Sequence, residues 1–200
     1  MERPLTEKGK LQALHAGVAL RAIIGDETVS FFVSPYKSCR QTFQFLSGSF
    51  SERGVSYTED PRLRNQYWGD WKTSESPAAQ QAIAEEIKQV GLFYYVFPGG
   101  ESASNVYDRA SSFMETLYRK WEQPKRAQNY VLISHNIFIH VFLMRWMHWE
   151  VSTFHRLRRF EGGQLAVMEK QPDGSYRLVT SLPCDPPVPL GVREIAGGAS

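Results

Sequence analysis

Val29-Ser30-Phe31-Phe32-Val33-Ser34-Pro35-Tyr36-Lys37-Ser38-Cys39-Arg40-Gln41-Thr42 decides the fold. Its first five residues are β-prone and mostly apolar, without the polar alternation of a half-exposed strand, so they predict a strand covered on both faces. Ser34-Pro35 then turns the chain into a loop, because a proline pushes the residue before it out of helical geometry. A helix follows over about residues 38–50. The same order recurs further on. Tyr130-Val131-Leu132-Ile133-Ser134 is a continuous apolar strand, His135 stands at its end, and Ile137 to Trp149 continues as a helix that is apolar on nearly all sides. Buried strands that each lead through a polar loop into a helix predict an open, mostly parallel α/β sheet. The ligand site of such a sheet lies beyond the C-terminal ends of its strands. That rule selects residues 34–40 and His135-Asn136.

Outward from these two units, residues 6–24 carry Leu11, Leu14, Val18 and Ala22 at helical spacing, with Thr6 able to cap the first turn and Gly25 able to end the last. The spacing predicts that this stripe faces the core. Ala78 to Val90 reads as a helix, and Pro98-Gly99-Gly100-Glu101-Ser102 as a turn into another. In that next helix Val106, Ala110, Phe113, Met114, Leu117 and Trp121 form one apolar stripe, and Asp108, Arg109, Glu115 and Arg119 lie off it. Leu165–Glu169 and Tyr176–Thr180 read as a hairpin around Pro172-Asp173-Gly174. The 200 residues suit a single domain, assigned here to 1–182, followed by an irregular Pro- and Gly-rich tail over 183–200.

Composition excludes several function classes. Twenty-three basic against 21 acidic side chains supply no strong field for nucleic acid or an anionic membrane. The run Arg156-x-Arg158-Arg159 reads as a solvated helix face. No apolar run approaches the roughly 20 residues of a membrane span, and Met1-Glu2-Arg3-Pro4 lacks the apolar core of a signal peptide. Cys39 and Cys184 have neither metal-ligand nor disulfide-framework spacing, so a reducing, cytoplasmic setting and no metal are expected.

Several segments taken in order carry a family resemblance. Leu5-Thr6-x-x-Gly9-x-x-Gln12-Ala13 and Ser34-Pro35-x-x-x-x-Arg40-x-Thr42 are followed by Leu63-Arg64-Asn65-Gln66-Tyr67-Trp68-Gly69, then by Gly100-Glu101-Ser102 and Val131-Leu132-Ile133-Ser134-His135. In this order they resemble the histidine phosphatase, or phosphoglycerate-mutase-like, superfamily over roughly residues 4–182. Tyr36 with Arg40-Gln41-Thr42, Val106-Tyr107-Asp108-Arg109 and the Val141–Trp146 segment point to the branch that contains the fungal broad-range acid phosphatases. The resemblance implies a three-layer α/β/α sandwich and a metal-free, cofactor-free hydrolysis of a phosphomonoester through a phosphohistidine. In that scheme one histidine attacks phosphorus, and two arginines and a second histidine hold the phosphoryl oxygens. A carboxylic acid protonates the departing oxygen.

On the same resemblance, His135 takes the second-histidine position and Glu101 is a candidate acid; Ser38, Arg40, Asn65 and Asn136 line the substrate site. The pattern is also broken. The family's Arg-His-Gly strand has no counterpart in the five residues ahead of Thr6, so the first strand and the nucleophile are expected to be missing. Ser38 replaces a pocket arginine, Asn65 replaces the proton-donating glutamate, and Asn136 stands where a glycine is usual. On a helical start Arg40 and Lys37 point away from the direction of Ser38. The leading expectation is a catalytically degenerate member whose ligand is phosphate or a phosphorylated small molecule. The alternatives are a broad-range acid phosphatase represented by an incomplete chain, and a binding protein whose open sheet edge is covered by a partner strand or by a second copy.

Overall fold

A computed structural model describes residues 3–50, 55–72, 76–185 and 192–193. Its centre is β1 (Val29–Val33), flanked by β2 (Val55–Glu59) and β3 (Asn129–Ile133), both parallel to it. All five β1 residues are buried, as a strand covered on both faces must be. Alternation along the strand divides the core. Val29, Phe31 and Val33 pack with α1 (Glu7–Ile24) and α2 (Lys37–Ser47), whereas Phe32 packs with α4 (Ala103–Trp121) and α5 (Asn136–Trp146). The result is the three-layer α/β/α arrangement around a parallel sheet. α3 (Pro77–Val90) has no buried residue, and the short α6 (Val151–Arg156) follows α5.

Beyond α6 lies a second, antiparallel sheet of β4 (Met168–Lys170), β5 (Tyr176–Leu178) and β6 (Val192–Arg193), in the order β4-β5-β6. The expected hairpin is present and shorter than its apolar pattern. Leu178 seats it on α5 against Leu143 and Phe160. The tail is not wholly irregular, because β6 pairs with β5; residues 186–191 and 194–200 lie outside the described residues. No helix among the described residues is long and apolar enough to cross a membrane.

Two expectations need correction. α1 has the expected limits and caps, with the Thr6 hydroxyl accepting from the Gly9 N–H and Gly25 closing the helix at φ 63°, but it buries a different face. Ala13, Ala16, Gly17, Leu20 and Ile24 point inward, while Leu11, Leu14 and Val18 are 57%, 41% and 65% exposed. The reason is close approach. A Cβ on Gly17 would stand 2.6 Å from the Leu46 carbonyl oxygen and 2.8 Å from Ser49 Oγ, so α2 seats against the small-residue side of α1. The second correction concerns the Arg156-x-Arg158-Arg159 run. Only Arg156 is helical; Leu157 bridges to Cys184, and Arg158 pairs with Asp185.

The α1–α2 contact is testable. Gly17→Ala is expected to destabilise the fold by about 1–3 kcal/mol through overpacking. Leu14→Ser on the exposed face should change stability by less than about 0.5 kcal/mol. Denaturant midpoints at unchanged m-value report both.

Candidate oxyanion site at the ends of β1 and β3

The β1–β3 register sets Val33 opposite Ile133, so Ser34 and His135 leave the sheet side by side. The Ser34 N–H donates to the Ile133 carbonyl, which carries the pairing one residue beyond β1. Ser34 Oγ lies 2.9 Å from His135 Nε2, and Cys39 Sγ lies 3.5 Å from the same nitrogen. Tyr36 presents its ring edge-to-face to the imidazole, with centroids 4.9 Å apart. Behind the strand end, Ser134 Oγ donates to the Leu63 carbonyl at 2.7 Å and ties this end of β3 to the 61–64 segment.

Two helices begin at this edge. Tyr36 is the N-cap of α2 and His135 the N-cap of α5, and neither helix has a side-chain cap bond. By contrast, Thr6, Ser76 and Ser102 cap α1, α3 and α4 with their hydroxyls. The first N–H groups of a helix have no partner within it and carry its positive partial charge. Two such ends therefore converge where Ser34 and His135 meet, an arrangement suited to an anion.

Burial governs the ionisation here. His135 is pushed down to about 4 by burial, with the Arg109 charge adding to the effect, so the ring is neutral at pH 7. Burial pushes the Cys39 thiol up to about 11, against opposing hydrogen bonds from Ser34 and Ser38, so it is protonated. Arg109 reaches the site from α4 with only 9% of its side chain exposed. It donates to the carbonyls of Arg62 and Arg64 and to Glu101 Oε2, its guanidinium lies over Phe138, and its Nε is buried without a partner. Burial lowers its pKa to about 10, against the attraction of Glu101.

The residues singled out in the sequence divide in this geometry. His135 and Ser38 stand at the site, Ser38 in the first turn of α2 beside Cys39. Arg40 does not face it: Nε and Nη2 close a two-point pair on Glu59 at 2.9 and 2.8 Å. Asn136 is engaged by another segment: its Oδ1 accepts from the Phe160 N–H at 2.7 Å. Asn65 is half-buried between Arg64 and Gln66. Glu101 is held as an acceptor by the Tyr67 N–H at 3.0 Å, by Arg109 and by Arg64. Its loop is fixed by an approach only glycine permits, since a Cβ on Gly100 would meet both Gly69 N and Tyr67 O at 2.6 Å. Among the described residues no group of three or more His, Cys, Asp or Glu side chains could hold a metal.

Residues 1–180 match the family model described as the histidine phosphatase superfamily (branch 1). The chain belongs to the histidine phosphatase superfamily. It is 36% identical over 189 residues to the phosphoglycerate mutase-like protein AT74H of Arabidopsis thaliana, covering 86% of this chain and 66% of that one. It is also 36% identical over 129 residues to the broad-range acid phosphatase DET1 of Saccharomyces cerevisiae, covering 62% of this chain and 38% of the other. The chain thus spans two thirds or less of the length of these relatives. Among solved structures, Bacillus stearothermophilus YhfR superposes with a TM-score of 0.68 at 21% identity, covering 89% of this chain and 84% of that one, which establishes the shared fold.

Sequence reasoning passed over Arg109 as a charge off the core stripe, and covered Ser34 and Tyr36 by the strand-end rule without giving either a role. The signal available for Arg109 was its place eight positions after Glu101 on the helix that the turn initiates. A second buried histidine shares the low pKa. His140, 5% exposed with Nε2 unpartnered, is pushed down to about 4 by burial, against a backbone hydrogen bond at Arg158. Below the ordinary value of 6.5 the unfolded chain takes up these protons before the folded one. Stability supplied by the two neutral rings is therefore complete above about pH 6.5 and lost as pH falls toward 4. Denaturation midpoints measured from pH 7 to 4 should fall steeply, and His140→Phe should flatten that slope.

Proposed function

We propose that this chain binds phosphate or a phosphorylated small molecule at His135 and is catalytically degenerate as a phosphatase. The observation that carries the reading is the convergence of two uncapped helix N-termini on the Ser34–His135 contact, with the buried Arg109 charge reaching the same imidazole. Backbone N–H groups, one hydroxyl and a neutral imidazole can hold phosphoryl oxygens by hydrogen bonds.

Turnover is a separate demand, and the side chains present supply little of it. The pocket-arginine position holds Ser38, which brings no charge, and the guanidinium of Arg40 is paired with Glu59. The acid position holds Asn65, which cannot protonate a leaving alkoxide. Loss of a general acid costs about 10² to 10⁴ in rate, and loss of one preorganised charge-stabilising donor about 10² to 10³. Glu101, the remaining carboxylate, is engaged by Arg64, Arg109 and the Tyr67 N–H. The free Cys39 and Cys184 fit a reducing, cytoplasmic setting.

A second reading, phosphomonoester hydrolysis of the broad-range acid phosphatase type, is favoured by the similarity to DET1. It calls for a polypeptide that supplies the attacking histidine and its neighbouring arginine. The two readings separate by experiment. Titration with inorganic phosphate should show weak, about millimolar binding that drops at least tenfold in His135→Ala. Assay with p-nitrophenyl phosphate should show no hydrolysis above that of the same variant. Turnover that His135→Ala abolishes would establish the hydrolytic reading and overturn the degenerate one.

A further inference from the structure

The hydrogens around His135 Nε2 decide which phosphoryl species can sit against it. Ser34 Oγ accepts from the Tyr36 N–H at 3.4 Å and lies 2.9 Å from Nε2. Its own hydrogen has two neighbouring acceptors, the imidazole nitrogen and the sulfur of Cys39, and the nitrogen is the stronger. Cys39 Sγ, 3.5 Å from the same nitrogen, is protonated because burial pushes its thiol up to about 11. Both neighbours therefore bring a hydrogen to Nε2. The ring, neutral above about pH 4, carries its own proton on Nδ1 and offers Nε2 as an acceptor.

The charge around this acceptor is small. Arg109 from α4 and Arg64 from the 61–64 segment share one carboxylate, Glu101, so the three together carry a single positive charge. On α2, Ser38 and Tyr36 bring none, Arg40 is paired with Glu59, and Lys37 is exposed to solvent, which screens it. Asn136 anchors the segment beyond α6, but Arg158 there pairs with Asp185, and Arg159 and Glu161 line a cleft against Gln12 and His15 of α1. A doubly charged oxyanion would set an oxygen lone pair against the Nε2 lone pair and leave its second charge unanswered. A site built to accept an O–H rejects an analogue that lacks one, because its acceptor is left unpaired.

We propose that the site takes the phosphoryl group as its monoanion, with one P–OH donating to His135 Nε2, and discriminates against dianions that carry no proton. The Ser34 hydroxyl, released from Nε2, donates to a second phosphoryl oxygen. This rests on the reading of the strand ends as a phosphoryl site and adds to it the ionic form of the ligand.

The test uses the 200-residue chain with inorganic phosphate and sulfate at equal ionic strength. Sulfate has the size and shape of phosphate and stays a dianion throughout, whereas phosphate passes from mostly monoanion at pH 6 to mostly dianion at pH 8. Phosphate binding should weaken about fivefold from pH 6 to pH 8, following the monoanion. Sulfate should bind about tenfold more weakly than phosphate at pH 6 and show no such change. Nitrogen-15 shifts of the free chain at pH 7 should show His135 Nδ1 protonated and Nε2 bare. Ser38→Arg, which adds a fixed cation beside Cys39, should bring sulfate to within about threefold of phosphate at pH 6. Sulfate equal to phosphate at pH 6, phosphate binding that holds or tightens toward pH 8, or a proton on Nε2 overturns the proposal while the phosphoryl site stands. So does a phosphate preference that Ser38→Arg leaves unchanged. Binding of neither anion overturns the site and the proposal together.

Discussion

The parallel pairing of Val29–Val33 with Asn129–Ile133 is the constraint on which the rest of the structure depends. In-register pairing brings two chain segments to the same edge of the sheet at the same level, so the residues that follow them, Ser34 and His135, must meet. Each strand then feeds a helix, and the helices start from that edge with their first N–H groups turned back toward it. Topology alone thus turns two helix N-termini toward one edge before any charged side chain is added. Arg109 comes from a third element, α4, and is fixed by carbonyls of the 62–64 segment and by Glu101. Its charge adds to burial in lowering the pKa of His135, which is neutral at pH 7.

How much of this was legible depended on whether the signal was local. The limits of β1 could be read because a continuous apolar run ends at Ser34-Pro35, and the Thr6 and Gly25 caps delimited α1. The buried face of α1 could not be read from hydrophobicity. Leu11, Leu14 and Val18 made the stronger stripe, yet the helix seats where Gly17 allows contact with the Leu46 carbonyl, a gain from close packing that no count of large apolar residues contains. β2 was not recognised because it is an edge strand, with Ser56, Tyr57, Thr58 and Glu59 all exposed, and so lacks an apolar run. Its pairing with β1 is a nonlocal fact.

The site shows the same division. His135 could be placed from its position at a strand end, and so could Ser34. Arg40 was a candidate because of its position in the loop, and Glu59, 19 residues away on β2, takes it out of the site. Asn136 was a candidate by adjacency to His135, and its side chain instead anchors Phe160. Glu101 was a candidate acid, and the structure surrounds it with two guanidinium groups and a backbone donor. In each case the partner that decided the side chain's direction is remote in sequence.

The central claim is that the shared end of β1 and β3 is a phosphoryl oxyanion site built from helix N-termini and His135. Crystals soaked in vanadate test it directly by showing where the oxyanion rests. The account predicts vanadate within hydrogen-bond distance of His135 Nε2, the Ser34 hydroxyl and the first N–H groups of α2 or α5. Crystals in which the Ser34–His135 contact is retained and vanadate lies elsewhere, or binds nowhere, would contradict it.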